Sequence, residues 1–168
     1  MILEPGKWQG RGSYRPTDES LGLRFQATVE VDDDRRTEGL IVNATLQVDG
    51  GSPRSILVYV VPDDVGTYAV TVRGDGIDVQ GTAKLDSEPH LALLWSEDGT
   101  VHVTCAVFTL PDTHGVRGYA KVRGDVWTWE LALQPQHRLR RGRPRLQTKD
   151  GKKEGRGNVV SLFDRLKR

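Results

Sequence analysis

The sequence predicts an all-β protein, an antiparallel up-and-down β-barrel of about ten strands, on three observations. Apolar and polar residues alternate with a period of two almost throughout residues 7–133. Turn signals such as Asp49-Gly50 and Asp98-Gly99 separate these runs, at the ~8–12-residue spacing typical of short strands. No helical periodicity appears before the last eleven residues. Sequential hairpins favour a closed barrel, because closure removes the exposed edges that invite aggregation.

The alternation assigns the strands one by one. In the segment LRFQATVEV the apolar residues fall on one face and the polar residues on the other, which is typical of a half-buried strand. The segments LIVNATLQV, IDVQGTAKL and VWTWELAL repeat the pattern. The predicted strands cover residues 7–14, 23–32, 38–48, 54–61, 66–73, 76–86, 90–96, 101–109, 116–123 and 126–134.

Charge divides the chain into an acidic domain and a basic extension. Residues 137–168 contain twelve Lys/Arg and three Asp/Glu, a net charge of +9, whereas the rest has twelve basic and twenty acidic residues, a net charge of −8. We therefore predict a barrel at 4–135, a basic Arg/Gly/Lys-rich linker at 136–157 and a short amphipathic helix at 158–168. A basic extension on an acidic domain indicates contact with a polyanion or with its own domain.

The composition indicates a cytoplasmic protein without a membrane segment. A single cysteine, Cys105, excludes an intramolecular disulfide and a multi-cysteine zinc site, and it is consistent with a reducing compartment. The first residues lack the basic and apolar regions of a secretory signal, and no apolar run approaches the ~20 residues that span a bilayer.

One short motif resembles a known family. The segment Gly6-Lys7-Trp8-Gln9-Gly10-Arg11-Gly12 reads G-x-W-x-G-x-G at the head of the first predicted strand. It resembles the signature of lipocalin-like (calycin) barrels, most closely the nitrobindin-like ten-stranded barrels, over about residues 4–135. We expect Trp8 to plug the bottom of such a barrel, while Gly10 and Gly12 let the first strand bend against its neighbours.

The same resemblance implies haem, held by a histidine on a strand near the C-terminal end of the barrel. The last two predicted strands, 116–123 and 126–134, contain no histidine. We therefore assign all four histidines to the surface: His90, His102, His114 and His137. No cofactor is predicted, and a nitrobindin-like haem or redox protein stays as an alternative.

The sequence contains no recognisable catalytic set, which favours a protein that is not an enzyme. The acidic runs Asp32-Asp33-Asp34 and Asp63-Asp64 lack the alternating spacing and glycine of a calcium loop, so no metal site is predicted. Cys105 lies on an apolar face and is expected to behave as a small hydrophobe with a raised pKa.

Aromatic residues on the predicted inner face are the best candidates for a ligand pocket. A wide barrel often holds a flat apolar ligand, so we expect these side chains to line a cavity, with simple filling of the core as the alternative. The residues are Trp8, Tyr14, Phe25, Tyr68, Trp95, Trp127 and Trp129.

The basic linker contains a segment that resembles the core of an AT-hook, Arg141-Gly142-Arg143-Pro144, flanked by Arg138, Arg140 and Arg145. The resemblance implies binding in the minor groove of A·T-rich DNA, where a narrow groove concentrates negative potential. Further phosphate contacts are predicted for Lys149, Lys152, Lys153 and Arg156. A contact with any polyanion and a merely solubilising linker are the alternatives.

The last eleven residues carry one apolar stripe at helical spacing: Val159, Leu162, Phe163 and Leu166. A helix this short is unstable alone, so we expect it to dock on its own barrel, a second copy or a partner protein. The sequence thus favours a binding protein with an apolar ligand or a scaffold role in the barrel, and with nucleic acid or another polyanion on the linker. A structural component of a larger assembly remains a further alternative.

Overall fold

Ten antiparallel strands close into a barrel in a computed structural model that describes residues 4–16, 22–63 and 66–136. Each strand pairs with its neighbours in sequence, and β1 pairs with β10, so the meander has no free edge. The strands are β1 (Gly6–Pro16), β2 (Leu23–Asp34), β3 (Gly39–Val48), β4 (Arg54–Pro62), β5 (Tyr68–Gly74), β6 (Ile77–Lys84), β7 (His90–Trp95), β8 (Val101–Leu110), β9 (Thr113–Val122) and β10 (Asp125–Pro135). The predicted fold class is confirmed.

The register places alternate residues of each strand inside the barrel. Residues that pair across neighbouring strands share a face, as Gly10 does with Ala27 and Leu133. The buried core lies on this inner face, whereas the opposite face of β2 consists of exposed polar residues. The period of two in the sequence is therefore the in–out alternation of the barrel wall.

The two ends of the barrel differ in packing. At the end where β1 begins and β10 ends, which we term the closed end, the inward side chains are buried: Trp8, Val31, Leu40, Tyr68, Ala83 and Leu133. At the other end, the open end, the inward-facing Leu23 and Ile77 are 43% and 41% exposed. The described interior is thus packed at one end and accessible at the other.

Trp8 is the plug of the closed end, as the opening motif predicts. Its side chain is buried, and the indole Nε1–H donates a hydrogen bond to the Glu4 carbonyl oxygen at 3.1 Å. Its ring contacts the imidazole of His114, with centroids 5.2 Å apart. The plug is thereby held by a hydrogen bond from its indole N–H and by a tilted contact with a second ring.

The surface assignment of His114 and His90 is wrong. Strand β8 turns into β9 through only two residues, Pro111 and Asp112, so β9 begins at Thr113 and includes His114. His114 pairs with Leu133 and faces inward, and His90 at the start of β7 is buried. The sequence pattern instead suggested a longer connection, which placed His114 in a loop.

The inward placement predicted for Trp95 is also wrong. In β7 the inward residues are His90, Ala92 and Leu94, and Trp95 pairs on the outer face with His102. Trp95 is 44% exposed. Both faces of HLALLW are largely apolar, so alternation alone does not identify the inner one. The outward placement expected for His102 is confirmed.

Candidate functional site

The candidate site is the open half of the barrel interior, where aromatic side chains from three adjacent strands meet. Tyr14 of β1 stacks on Trp127 of β10, with ring centroids 5.9 Å apart and an interplanar angle of 29°. Phe25 of β2 meets the same tyrosine at 6.4 Å in a tilted arrangement. Tyr14 pairs with Leu23 in the register, so the cluster lies just inside the open end.

The wall next to this cluster carries small inward side chains. Strand β8 contributes Val103, Cys105 and Val107 inward, and β9 contributes Val116, Gly118 and Ala120. All but Ala120 keep part of their surface exposed although they point into the barrel. An eight-stranded barrel is just wide enough for side chains to fill, so ten strands with short side chains leave space. The inner wall on this side therefore consists of short side chains that keep partial exposure.

Trp129 is positioned by a glycine on the neighbouring strand. Gly118 pairs with Trp129 in the register, and a β-carbon at Gly118 would collide with the indole ring. The indole of Trp129 therefore packs directly against Gly118 of β9. Its ring forms part of the inner wall next to the aromatic cluster.

The described interior carries no carboxylate, ammonium or guanidinium group between its rims. Burial raises the pKa of the Cys105 thiol to about 11, so this side chain is neutral at physiological pH. At the closed end the Tyr68 hydroxyl donates a hydrogen bond to the Asp86 carboxylate at 2.6 Å, and this bond, with burial, raises the pKa of Tyr68. A charged ligand group would find no opposite charge here to offset its desolvation.

The seven aromatic residues predicted for the pocket fall into three groups. Four face the open half of the interior, Tyr14, Phe25, Trp127 and Trp129, and of these Phe25 is buried in the core. Trp8 and Tyr68 fill the closed end, as the core-filling alternative holds, and Trp95 lies outside. A search for aromatic residues did not find the part of the inner wall that β8 and β9 form with small side chains. The alternate spacing of Val103 and Cys105, and of Val116 and Gly118, does indicate it.

Several predicted residues lie outside the described part of the chain. The nucleic-acid set is Arg138, Arg140, Arg141, Gly142, Arg143, Pro144, Arg145, Lys149, Lys152, Lys153 and Arg156, and the docking set is Val159, Leu162, Phe163 and Leu166. Their roles stay predictions.

Within residues 4–16, 22–63 and 66–136, no three or more His, Cys, Asp or Glu side chains gather to form a metal site. The same part of the chain has no helix with the length and hydrophobicity to cross a membrane.

No protein-family model matches the chain, and no curated protein matches it in sequence. The class of protein is thus given by the architecture itself: a closed, ten-stranded antiparallel barrel, consistent with a calycin-like barrel.

Proposed function

We propose that this chain is a non-enzymatic binding protein whose barrel holds a small, flat, apolar ligand in its open half. One observation carries the proposal: the stacked rings of Tyr14 and Trp127 lie beside inward side chains of β8 and β9 that are small and partly exposed. Apolar surface that faces the interior and stays exposed is stabilised when a ligand removes it from water.

The lining also defines the chemistry of the ligand. Aromatic faces favour a planar ring system, because offset stacking contributes ~0.5–1.5 kcal/mol beyond the burial of area. The described interior has no carboxylate, ammonium or guanidinium group between its rims, which favours a neutral molecule. The Tyr14 hydroxyl, near the open end, can both donate and accept a hydrogen bond, so it suits one polar substituent at the edge of the ligand.

The test is a titration with a neutral naphthylamine whose fluorescence rises in apolar surroundings. We expect saturable binding, weakened about tenfold by Trp127→Ala, since one lost aromatic wall corresponds to ~1.4 kcal/mol. Trp95→Ala removes an indole from the outer surface and serves as the matched control, with unchanged affinity. Equal affinity in all three proteins, or no saturable binding to any, would contradict the proposal. Circular dichroism of each variant checks that it is folded.

A haem protein is the second candidate; it rests on the inward-facing His114 alone, and space for the haem at this packed end would require displacement of Trp8. This histidine lies on the inner face of the penultimate strand, where its imidazole contacts Trp8 and keeps part of its surface exposed. His114 is the residue that would hold the iron, which would supply redox chemistry or gas binding. Purified protein that is colourless and gives no Soret band after addition of haemin would end this candidate.

The basic extension adds a separate proposal, contact with nucleic acid or another polyanion. Its support is the charge of +9 over residues 137–168 and the Arg141-Gly142-Arg143-Pro144 segment.

A further inference from the structure

Strand β7 breaks the in–out pattern of the barrel. Its three outward side chains, Leu91, Leu93 and Trp95, are large and apolar, and they are 40%, 52% and 44% exposed. The outward residues of the adjacent β6 are polar, as Gln80 and Lys84 illustrate. A contiguous apolar strip of this kind on a protein surface is typical of an interaction site.

The strip borders a groove on the outer wall. Leu93 and Leu91 pair with Thr104 and Ala106 of β8, whose short side chains line the groove. The groove has a volume of about 450 Å³, and the other outward side chains that line it are Ser13, Arg15, Arg117, Tyr119, Thr128 and Glu130. Arg117 Nη2 and Glu130 Oε2 are 3.9 Å apart, so these two charges are matched. We term the apolar strip and this adjoining groove together the outer groove.

The C-terminal segment of the same chain has the matching chemistry. We propose that residues 158–168 dock in the outer groove of their own barrel through Val159, Leu162, Phe163 and Leu166. These four residues form one apolar stripe at helical spacing, and short amphipathic helices bind apolar grooves through such a stripe. This segment is the most apolar part of the 32 residues that follow Gln136.

The connection is long enough for docking within one molecule. Strand β7 lies three strands from β10 around the barrel, about 14 Å at ~4.8 Å per strand. The 21 residues 137–157 span up to about 70 Å when extended. A tether of this length keeps the segment near the groove at an effective concentration of roughly millimolar, which compensates for a weak individual contact.

The charges around the outer groove bear on two questions. They show that Coulomb attraction is not what would hold residues 158–168 there, and they make a second copy of the chain an unfavourable occupant. Residues 158–168 carry three basic residues and one acidic residue, and the charged residues that line the groove are Arg15 and the paired Arg117 and Glu130, so local Coulomb attraction does not drive docking. A second copy placed face to face would bring the exposed Lys84 and Lys121 of each molecule near those of the other, which is unfavourable. Docking by apolar contact predicts little loss at high salt.

The test measures how fast a thiol in the groove is labelled in the full-length protein. Leu93→Cys is introduced with Cys105→Ala, so that the groove holds the single cysteine. We expect labelling to be about tenfold slower than in the same protein carrying Leu162→Asp, which corresponds to a segment that is nine-tenths docked. Ser161→Asp adds the same charge off the stripe and is the matched control, with labelling as slow as in the parent. Thr45→Cys, an exposed outward position on β3, should label at one rate in every background.

Every other pattern would overturn the proposal. Equal rates with and without Leu162→Asp mean that the stripe does not cover the groove. Protection that increases with protein concentration identifies a second copy as the occupant. Protection that disappears at high salt identifies contact by the basic linker instead.

Discussion

The indole of Trp129 occupies the space that a side chain at Gly118 would need. The two residues pair directly between β9 and β10, and the six-membered ring of the indole lies against Gly118. The absence of a β-carbon therefore determines how far this tryptophan extends into the candidate site.

Adding a methyl group at that position should displace the ring. Gly118→Ala is expected to destabilise the protein by about 1–3 kcal/mol, the usual cost of overpacking, and to weaken binding of the naphthylamine probe. Gly51→Ala is the control, since a β-carbon there meets only ordinary contacts at 3.6 Å. Urea unfolding and probe titration measure the two effects. Equal stability of the two variants would show that the ring does not depend on the glycine.

Substitution of two tryptophans, one buried and one exposed, compares a core position with a surface position. Trp8→Ala should cost about 3–5 kcal/mol of unfolding free energy, because it empties the closed end and removes the contact with His114. Trp95→Ala should cost less than about 1 kcal/mol, since that side chain is already exposed to solvent. Denaturant unfolding compares them. Similar losses from the two substitutions would contradict the assignment of Trp8 as the plug.

The Cys105 thiol should react slowly and only at high pH. Its pKa is raised from 9.0 to about 11, so near pH 8 roughly one thiol in a thousand is ionised, about a hundredfold fewer than for an ordinary cysteine. Because the folded pKa lies above the unfolded one, the neutral thiol's contribution to stability is complete below about pH 9 and is lost as the pH rises towards 11. Alkylation rates across this range measure the pKa. Cys105→Ala should lack this component of the pH dependence of stability. A labelling midpoint near 9 would contradict burial of the thiol.

The basic extension should give salt-sensitive binding to nucleic acid. Fluorescence anisotropy compares full-length protein with a 1–136 truncation on A·T-rich and G·C-rich duplexes. We expect binding that requires residues 137–168 and weakens with salt, because phosphate contacts release counterions. Preference for the A·T-rich duplex would support the minor-groove hypothesis, and equal binding would leave a general polyanion contact. No binding to either duplex at low salt would refute nucleic-acid contact.

Local alternation was sufficient to predict the fold, but not the depth of every side chain. Trp8 was placed by the resemblance of its G-x-W-x-G-x-G motif, and Cys105 was placed correctly because it lies in a run with one apolar face. Trp95 was misplaced because β7 is apolar on both faces, and only pairing with β8 decides which one is inside. His114 was missed because the length of the Pro111–Asp112 turn depends on the register of the two strands it joins. The exposure of inward-facing side chains at the open end depends on how ten strands close into a barrel. Closure joins residues that are far apart in sequence, so local alternation does not predict this exposure.

Two adjacent residues of β8 offer the sharpest test of an interior ligand site. Val103 faces the interior and His102 faces solvent, so Val103→Phe and His102→Phe place the same ring on opposite sides of one wall. The measurement is the dissociation constant of the naphthylamine probe for both variants, with unfolding curves to show that each is folded. We predict that Val103→Phe weakens binding about tenfold or more by filling the open half, while His102→Phe leaves it unchanged. If both variants bind the probe like the unmodified protein, the ligand site is not inside the barrel.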